Sequence, residues 1–168
     1  GAGTAPVSLD GVHVPDDHVL GDPEDGFGIL LAVEAEGKLR AAATCVGMAQ
    51  RALDESVAYA RQRLHREQSI GEKFPTVQAL IGTMVADVAA ARSLCWDVAR
   101  RADAGLPVGQ EAAAARIVAG RAVREVANNA MQVCGAYGWT KDMVVERLYR
   151  ESKFYEVGQG VIELQRII

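Results

Sequence analysis

Two stretches of this 168-residue chain combine residue types that can do more than fold. The first is Gln132-Val133-Cys134-Gly135-Ala136-Tyr137-Gly138-Trp139. A helical pattern ends there in a glycine-rich turn, whose free backbone N–H groups give close access to a planar or phosphate ligand. A glycine helix cap accounts for the same residues without any ligand. The second is Val145-Glu146-Arg147-Leu148-Tyr149-Arg150-Glu151-Ser152-Lys153. Its charges read as a solvated helix face, or as partly buried ion pairs in which Arg147 and Arg150 share a side with Glu146, Glu151 and Tyr149. Histidine chemistry is excluded. None of His13, His18 and His65 follows a glutamate by three positions, so no carboxylate–histidine di-iron site can form on facing helices. Two of them lie in the N-terminal segment, which leaves no Ser/His/Asp set. No P-loop or dinucleotide fingerprint is present, and no metal site is expected.

The elements that must position these residues are helices. Apolar residues make up 49% of the chain, aromatics only 5%, and 28 residues are alanine. Such a composition points to closely packed helices. From about Gly26 to Arg66, Phe27, Leu30 and Leu31 begin a face that Cys45, Met48, Ala49, Ala52, Leu53 and Val57 continue at three-and-four spacing. Gly37 interrupts that run, as a kink or a close approach of a ligand. Residues 67–76 form a connector. A second helix is predicted from about Pro75 to Ala104, with Val77, Ile81, Met84, Val88, Ala91, Cys95, Val98 and Ala102 as its seam. A third runs from about Gln110 to Cys134 on the small face Ala113, Ile117, Gly120, Val123, Ala127 and Ala130. A fourth spans about Asp142 to Tyr155, and a last one begins near Val161. The fold class is all-α: an antiparallel bundle of four main helices over 27–168, with a short β-strand and loop appendage over 1–26. In that appendage Val12-His13-Val14-Pro15 reads as a strand stopped by proline. A lone strand is not stable, so the segment is expected to end an upstream β-domain, or else to be a disordered tail.

Net charge is −4 with no basic block, so nucleic acid is an unsuitable partner. No apolar run reaches the roughly 18 residues of a membrane span. The widely spaced Cys45, Cys95 and Cys134 fit reduced thiols of a cytoplasmic protein rather than a disulfide framework.

In their order along the chain, these pieces resemble the C-terminal part of an acyl-CoA dehydrogenase. The likeness begins at Leu9-Asp10-Gly11-Val12-His13-Val14-Pro15 and Val19-Leu20-Gly21, and continues through Gly26-Phe27-Gly28 and Val46-Gly47-Met48-Ala49-Gln50-Arg51-Ala52-Leu53-Asp54. It includes 132–138 and 145–153 and closes on Leu164-Gln165-Arg166-Ile167. The resemblance implies an N-terminal helical domain and a middle β-domain upstream of this bundle, and assembly into homo- or hetero-oligomers. It implies FAD held partly across a subunit interface, an acyl-CoA substrate, and an electron-transferring flavoprotein as reoxidant. A carboxylate removes the α-proton of the thioester while the β-hydrogen leaves as hydride. Cofactor contacts from Arg66, Gln132, Gly135 and Gly160 and substrate contacts from Gly37, Lys38 and Gly158 follow from the same resemblance.

The catalytic carboxylate is where the chain departs from the family. Most members place a glutamate seven residues before the arginine of the closing Gln-Arg, and that position here is Gln159. A minority place it on the first helix before a basic residue; here Gly37 stands there, followed by Lys38, with Glu36 one residue away. Glu156 is an alternative base only if the turn is remodelled. Two readings follow: a subunit without its own base in a heteromeric enzyme, which is preferred, or a divergent member using another base. The rival class is a non-catalytic assembly or acyl-CoA-binding module.

Overall fold

The computed structural model describes residues 5–158 and 160–167. Asp22 opens the helical region by accepting a hydrogen bond from the Glu24 backbone N–H at 2.9 Å in a 3-10 turn. Helix α1 then runs unbroken through Gly26–Gln62, so Gly37 produces no interruption. The chain reverses through a two-residue ladder, β1 (Leu64–His65) against β2 (Gln68–Ser69), paired antiparallel. Ser69 caps the short α2 (Ile70–Lys73). Pro75, whose missing N–H costs nothing at a first helical position, starts α3 (Pro75–Asp103). Helix α3 ends on Gly105, and the Leu106 N–H returns to the Arg101 carbonyl. Helix α4 (Gly109–Cys134) follows, then a 3-10 turn at Gly135–Trp139. The rest is short: α5 (Val144–Ser152), α6 (Phe154–Val157) and α7 (Ile162–Gln165).

Helices α1, α3, α4 and α5 are the four main helices, and short connections make successive ones antiparallel. The expected fourth helix, 142–155, is divided: α5 stops at Ser152, whose hydroxyl donates to the Tyr149 carbonyl at 2.7 Å, and α6 restarts the chain. Helix α4 is central, touching α1, α3, α5 and α7. Its buried face is Ala112, Ala115, Ala119, Val123, Val126 and Ala130. Ala42, Cys45, Ala49 and Ala52 of α1 and Met84, Val88, Ala91 and Val98 of α3 complete the core.

Two expectations need correction. Residues 5–15 are exposed and carry no ladder among the described residues; the strand expected at 12–14 is one that pairs with an upstream domain, not with this bundle. Phe27, Leu30 and Leu31 are not core; they are 72%, 58% and 50% exposed. Their helix has 37 residues and α4 has 26, so α1 outruns its partner by roughly 16 Å at 1.5 Å per residue. Finally, α3 is long and apolar enough to cross a membrane by length and composition. Its Met84, Val88, Ala91, Cys95 and Val98 are instead buried in the bundle.

Gly120 marks the tightest approach of the C-terminal segment to α4. An added Cβ would stand 2.9 Å from Ile162 Cδ1 and 3.1 Å from Arg116 Nη1. Gly120→Ala should therefore destabilise the fold by about 1–3 kcal/mol through overpacking. Gly82→Ala, on the exposed face of α3 with open space around it, should stabilise by about 0.5–1 kcal/mol. Urea denaturation of the two variants checks both signs.

Candidate functional site

The residues singled out from the sequence collect at the two ends of the α1–α4 pair. At one end lie the early turns of α1, the start of α4 and the turn that carries Gly158 and Gly160. Arg116, on α4, is fully buried; it donates from Nη2 to the Gly158 carbonyl at 3.1 Å and lies 5.9 Å from the centre of the Tyr155 ring. Among the described residues its Nε and Nη1 have no hydrogen-bond partner, and neither has Oε1 of the buried Gln165. Buried unpaired donors are costly, and such a group calls for a ligand or a water to complete it. Gly160 adopts φ 77°, a left-handed turn conformation suited to glycine. A Cβ built there would stand 2.8 Å from Gln165 Nε2 and 3.3 Å from Glu34 Oε1. Lys38 is buried, and the space beside Gly37 is open.

The tertiary fold thus brings the turn of Gly158 and Gly160 to α1 at Glu34, one helical turn from Gly37 and Lys38, across more than a hundred residues of sequence. Gln159 lies outside the described residues. Glu156 is half-buried and already engaged: its carboxylate pairs with Arg124 Nε of α4 at 3.3 Å and with Lys153 Nζ at 2.6 Å. It ties α6 to α4, and its oxygens are taken by two cations. Glu36 is exposed beside Arg40.

At the other end stand Gln132 and Gly135, about 24 and 28 Å from Arg116 along α4 at 1.5 Å per residue. Both are exposed; Gly135 takes φ 58°, and nothing lies within 4 Å of its missing Cβ. Asn128, Met131, Gln132, Gly135, Trp139 and Tyr149 line a cleft of about 280 Å³ there. Arg66 sits in the turn of the β1–β2 hairpin, with Glu67, at φ 51° and 66°. Sequence reasoning missed Arg63. Capping α1, it places its guanidinium 5.8 Å from the centre of the Tyr137 ring, against the glycine-rich turn. Its signal was position: a cation at the last turn of a helix whose end packs on that turn. Gly160, grouped with these residues as a cofactor contact, belongs to the opposite end. An apolar cleft of about 440 Å³ between α1 and α3 shares no residue with either cluster.

In the charged stretch, Arg150 clasps Glu146 through two hydrogen bonds, Nε to Oε1 at 3.0 Å and Nη2 to Oε2 at 3.2 Å. The bond from Arg150 holds the Glu146 carboxyl below the usual carboxylate range. This is an exposed i,i+4 ion pair on a solvated helix face at the edge of the fold.

The three thiols are buried and free. Burial pushes Cys45 up to about 12 and Cys134 up to about 11, and raises Cys95. None is a thiolate near neutrality, so none is a nucleophile.

A family model, "Acyl-CoA dehydrogenase, C-terminal domain", matches residues 24–168. The chain belongs to the acyl-CoA dehydrogenase family, and these residues are its C-terminal helical domain. It is 36% identical to a probable acyl-CoA dehydrogenase of Bacillus subtilis, YngJ, over all of this chain and 44% of that protein. It is 37% identical to a glutaryl-CoA dehydrogenase of Desulfococcus multivorans, over 98% of this chain and 42% of that one. The solved complex of glutaryl-CoA dehydrogenase with glutaryl-CoA superposes at a TM-score of 0.87 with 36% identity, covering 92% of this chain and 39% of that chain. The chain therefore spans less than half the length of these relatives.

FAD is the family's cofactor. Exposed Gln132, the open Gly135 backbone and the guanidinium groups of Arg63 and Arg66 suit a phosphate-bearing edge of such a ligand. A cleft of about 280 Å³ is too small to enclose a dinucleotide, so these residues fit one end of it.

With thiols pushed as high as about 12, thiolate at pH 8 is scarcer by orders of magnitude than for a free cysteine. A chromogenic disulfide reagent should therefore label the folded protein slowly, and all three cysteines rapidly in denaturant. Absorbance of the released thiol follows both.

Proposed function

We propose that this chain is the C-terminal part of a flavin-dependent acyl-CoA dehydrogenase, which introduces an α,β double bond into an acyl-CoA thioester. The observation that carries the reading is the meeting of two segments. The turn with Gly158 and Gly160 meets α1 at Glu34, whose Oε1 stands 3.3 Å from the Cβ point of Gly160. The family keeps its base in one or the other of these segments, and the relatives' names carry the same chemistry. Bound FAD supplies hydride acceptance, and an electron-transferring flavoprotein serves as reoxidant.

The chain's own residues have separable tasks. Arg116 anchors the Gly158 carbonyl and so holds the turn against α4. Open space at Gly37 leaves room for the thioester beside the helix. The opposite cluster, with Arg63, Arg66, Gln132 and Gly135, receives an end of FAD. Because the clusters lie at opposite ends of the α1–α4 pair, that FAD belongs to a neighbouring subunit's site, and an oligomer is required. Exposed Phe27, Leu30, Leu31 and Trp96 offer apolar surface for neighbouring domains or subunits. The base-less subunit of a heteromer rests on Gln159 and Gly37 alone. The proximity of Glu34 to the turn supports the divergent member, with a base from this chain. A cytoplasmic location accords with the free thiols.

The assembled protein, loaded with FAD, should lose its visible flavin absorbance anaerobically on addition of an acyl-CoA. Failure with thioesters of every chain length would refute the dehydrogenase reading. The isolated chain should not retain FAD through dialysis, because it presents only one edge of the ligand's site. In sedimentation it should associate at high concentration, and a clean monomer would count against the subunit-interface reading.

A further inference from the structure

We propose that Glu34 is the catalytic base of this chain, acting from a point one helical turn before the position of Gly37. The inference rests on the dehydrogenase reading above and assigns its proton acceptor. Glu34 lies on α1, and its Oε1 stands 3.3 Å from the Cβ point of Gly160. Glu34 and Gly37 are three residues apart, so they share a helix face at a separation of about 4.5 Å along the axis. A glutamate moved back by one turn still presents its carboxylate to the same turn of the C-terminal segment.

The other carboxylates nearby are otherwise placed. Glu156 is held between Arg124 and Lys153. Glu36 is two residues from Glu34, about 200° around the helix, exposed beside Arg40. Glu34 is half-buried and, among the described residues, has no hydrogen-bond or ion-pair partner, so both its oxygens are available. The surroundings are unfinished in the way a ligand site is. Arg116 keeps two unpaired nitrogens with no exposed surface, and Gln165 keeps an unpaired buried oxygen beside the same turn. Arg116 acts as a positioning residue, since its bond to the Gly158 carbonyl holds that turn against α4.

The step is a proton transfer coupled to hydride loss. The Cα–H bond breaks, its proton forms an O–H bond on Glu34, and its electron pair becomes the new Cα–Cβ double bond. The Cβ–H bond breaks, and its hydrogen departs with the electron pair as hydride; FAD, the family's cofactor, would be the two-electron oxidant that takes it as the thioester is oxidised by two electrons.

The test uses the assembled FAD-loaded protein with an acyl-CoA that bleaches the wild type. Glu34→Gln should slow flavin reduction by roughly 10²–10⁴-fold while flavin content and melting temperature stay unchanged. Glu34→Asp should retain part of the rate, and Glu36→Gln should match the wild type. A second readout does not depend on turnover. A 3-alkynoyl-CoA, which a base isomerises to a reactive allene, should label the carboxylate that removes its α-proton. Peptide mass spectrometry should find that label on Glu34, and Glu34→Gln should abolish it. Equal bleaching of wild type and Glu34→Gln, or a label on Glu156, would overturn the base assignment alone. A wild type that no acyl-CoA bleaches would overturn the dehydrogenase reading beneath it.

Discussion

The small-residue contact between α1 and α4 is the constraint on which the remaining structure depends. Ala42, Cys45, Ala49 and Ala52 on one helix and Ala112, Ala115, Ala119 and Ala130 on the other are all buried. Side chains of this size let two helix backbones come close, toward the short end of the roughly 8–10 Å range of interaxial distances. Close approach sets the register along the pair, and everything at either end inherits that register. One end of α1 delivers Glu34 to Gly160, in the turn whose Gly158 carbonyl Arg116 holds. The other delivers Arg63 to the glycine-rich turn at the end of α4. Each methyl group added to the seam would separate the helices and loosen both ends at once.

Arg116 shows what such a seam can hold. A fully buried guanidinium with one recorded hydrogen bond is a poor choice for stability alone, because its desolvation is only partly offset. It becomes intelligible as an anchor for a turn that has few other ties. Helices α6 and α7 have four residues each, too short to be stable by themselves. They are held by Ile162 against Gly120, by Glu156 against Arg124, and by the Gly158 carbonyl on Arg116. The polar cost is concentrated where the family keeps its chemistry, a common pattern at functional sites.

The exposed apolar residues complete this picture from outside. Helix α1 extends past α4 and carries Phe27, Leu30, Leu31 and Val33 into solvent. Leu9, Val12 and Leu20 before it are equally uncovered. These residues are apolar surface of the kind that marks an interface.

The sequence by itself determined what local rules govern. Three-and-four spacing set the long helices, Pro75 and Gly105 their limits, and alanine content their closeness. The ordered family motifs identified the domain, and the scattered cysteines read correctly as free thiols. What it could not determine were meetings between distant segments. Arg116 and Gly158 are 42 positions apart, and Glu34 and Gly160 are further still. No periodicity joins them; only the packing of α4 against α1 and α7 does. The same reason explains the exposed start of α1: Phe27, Leu30 and Leu31 have a helical face but no helix of this bundle opposite. Arg66 came from the family resemblance and lies in the hairpin turn, while Arg63 meets the glycine-rich turn because α1 ends there. Local pattern decides which element a residue joins; the contact surface of its neighbours decides what that residue faces.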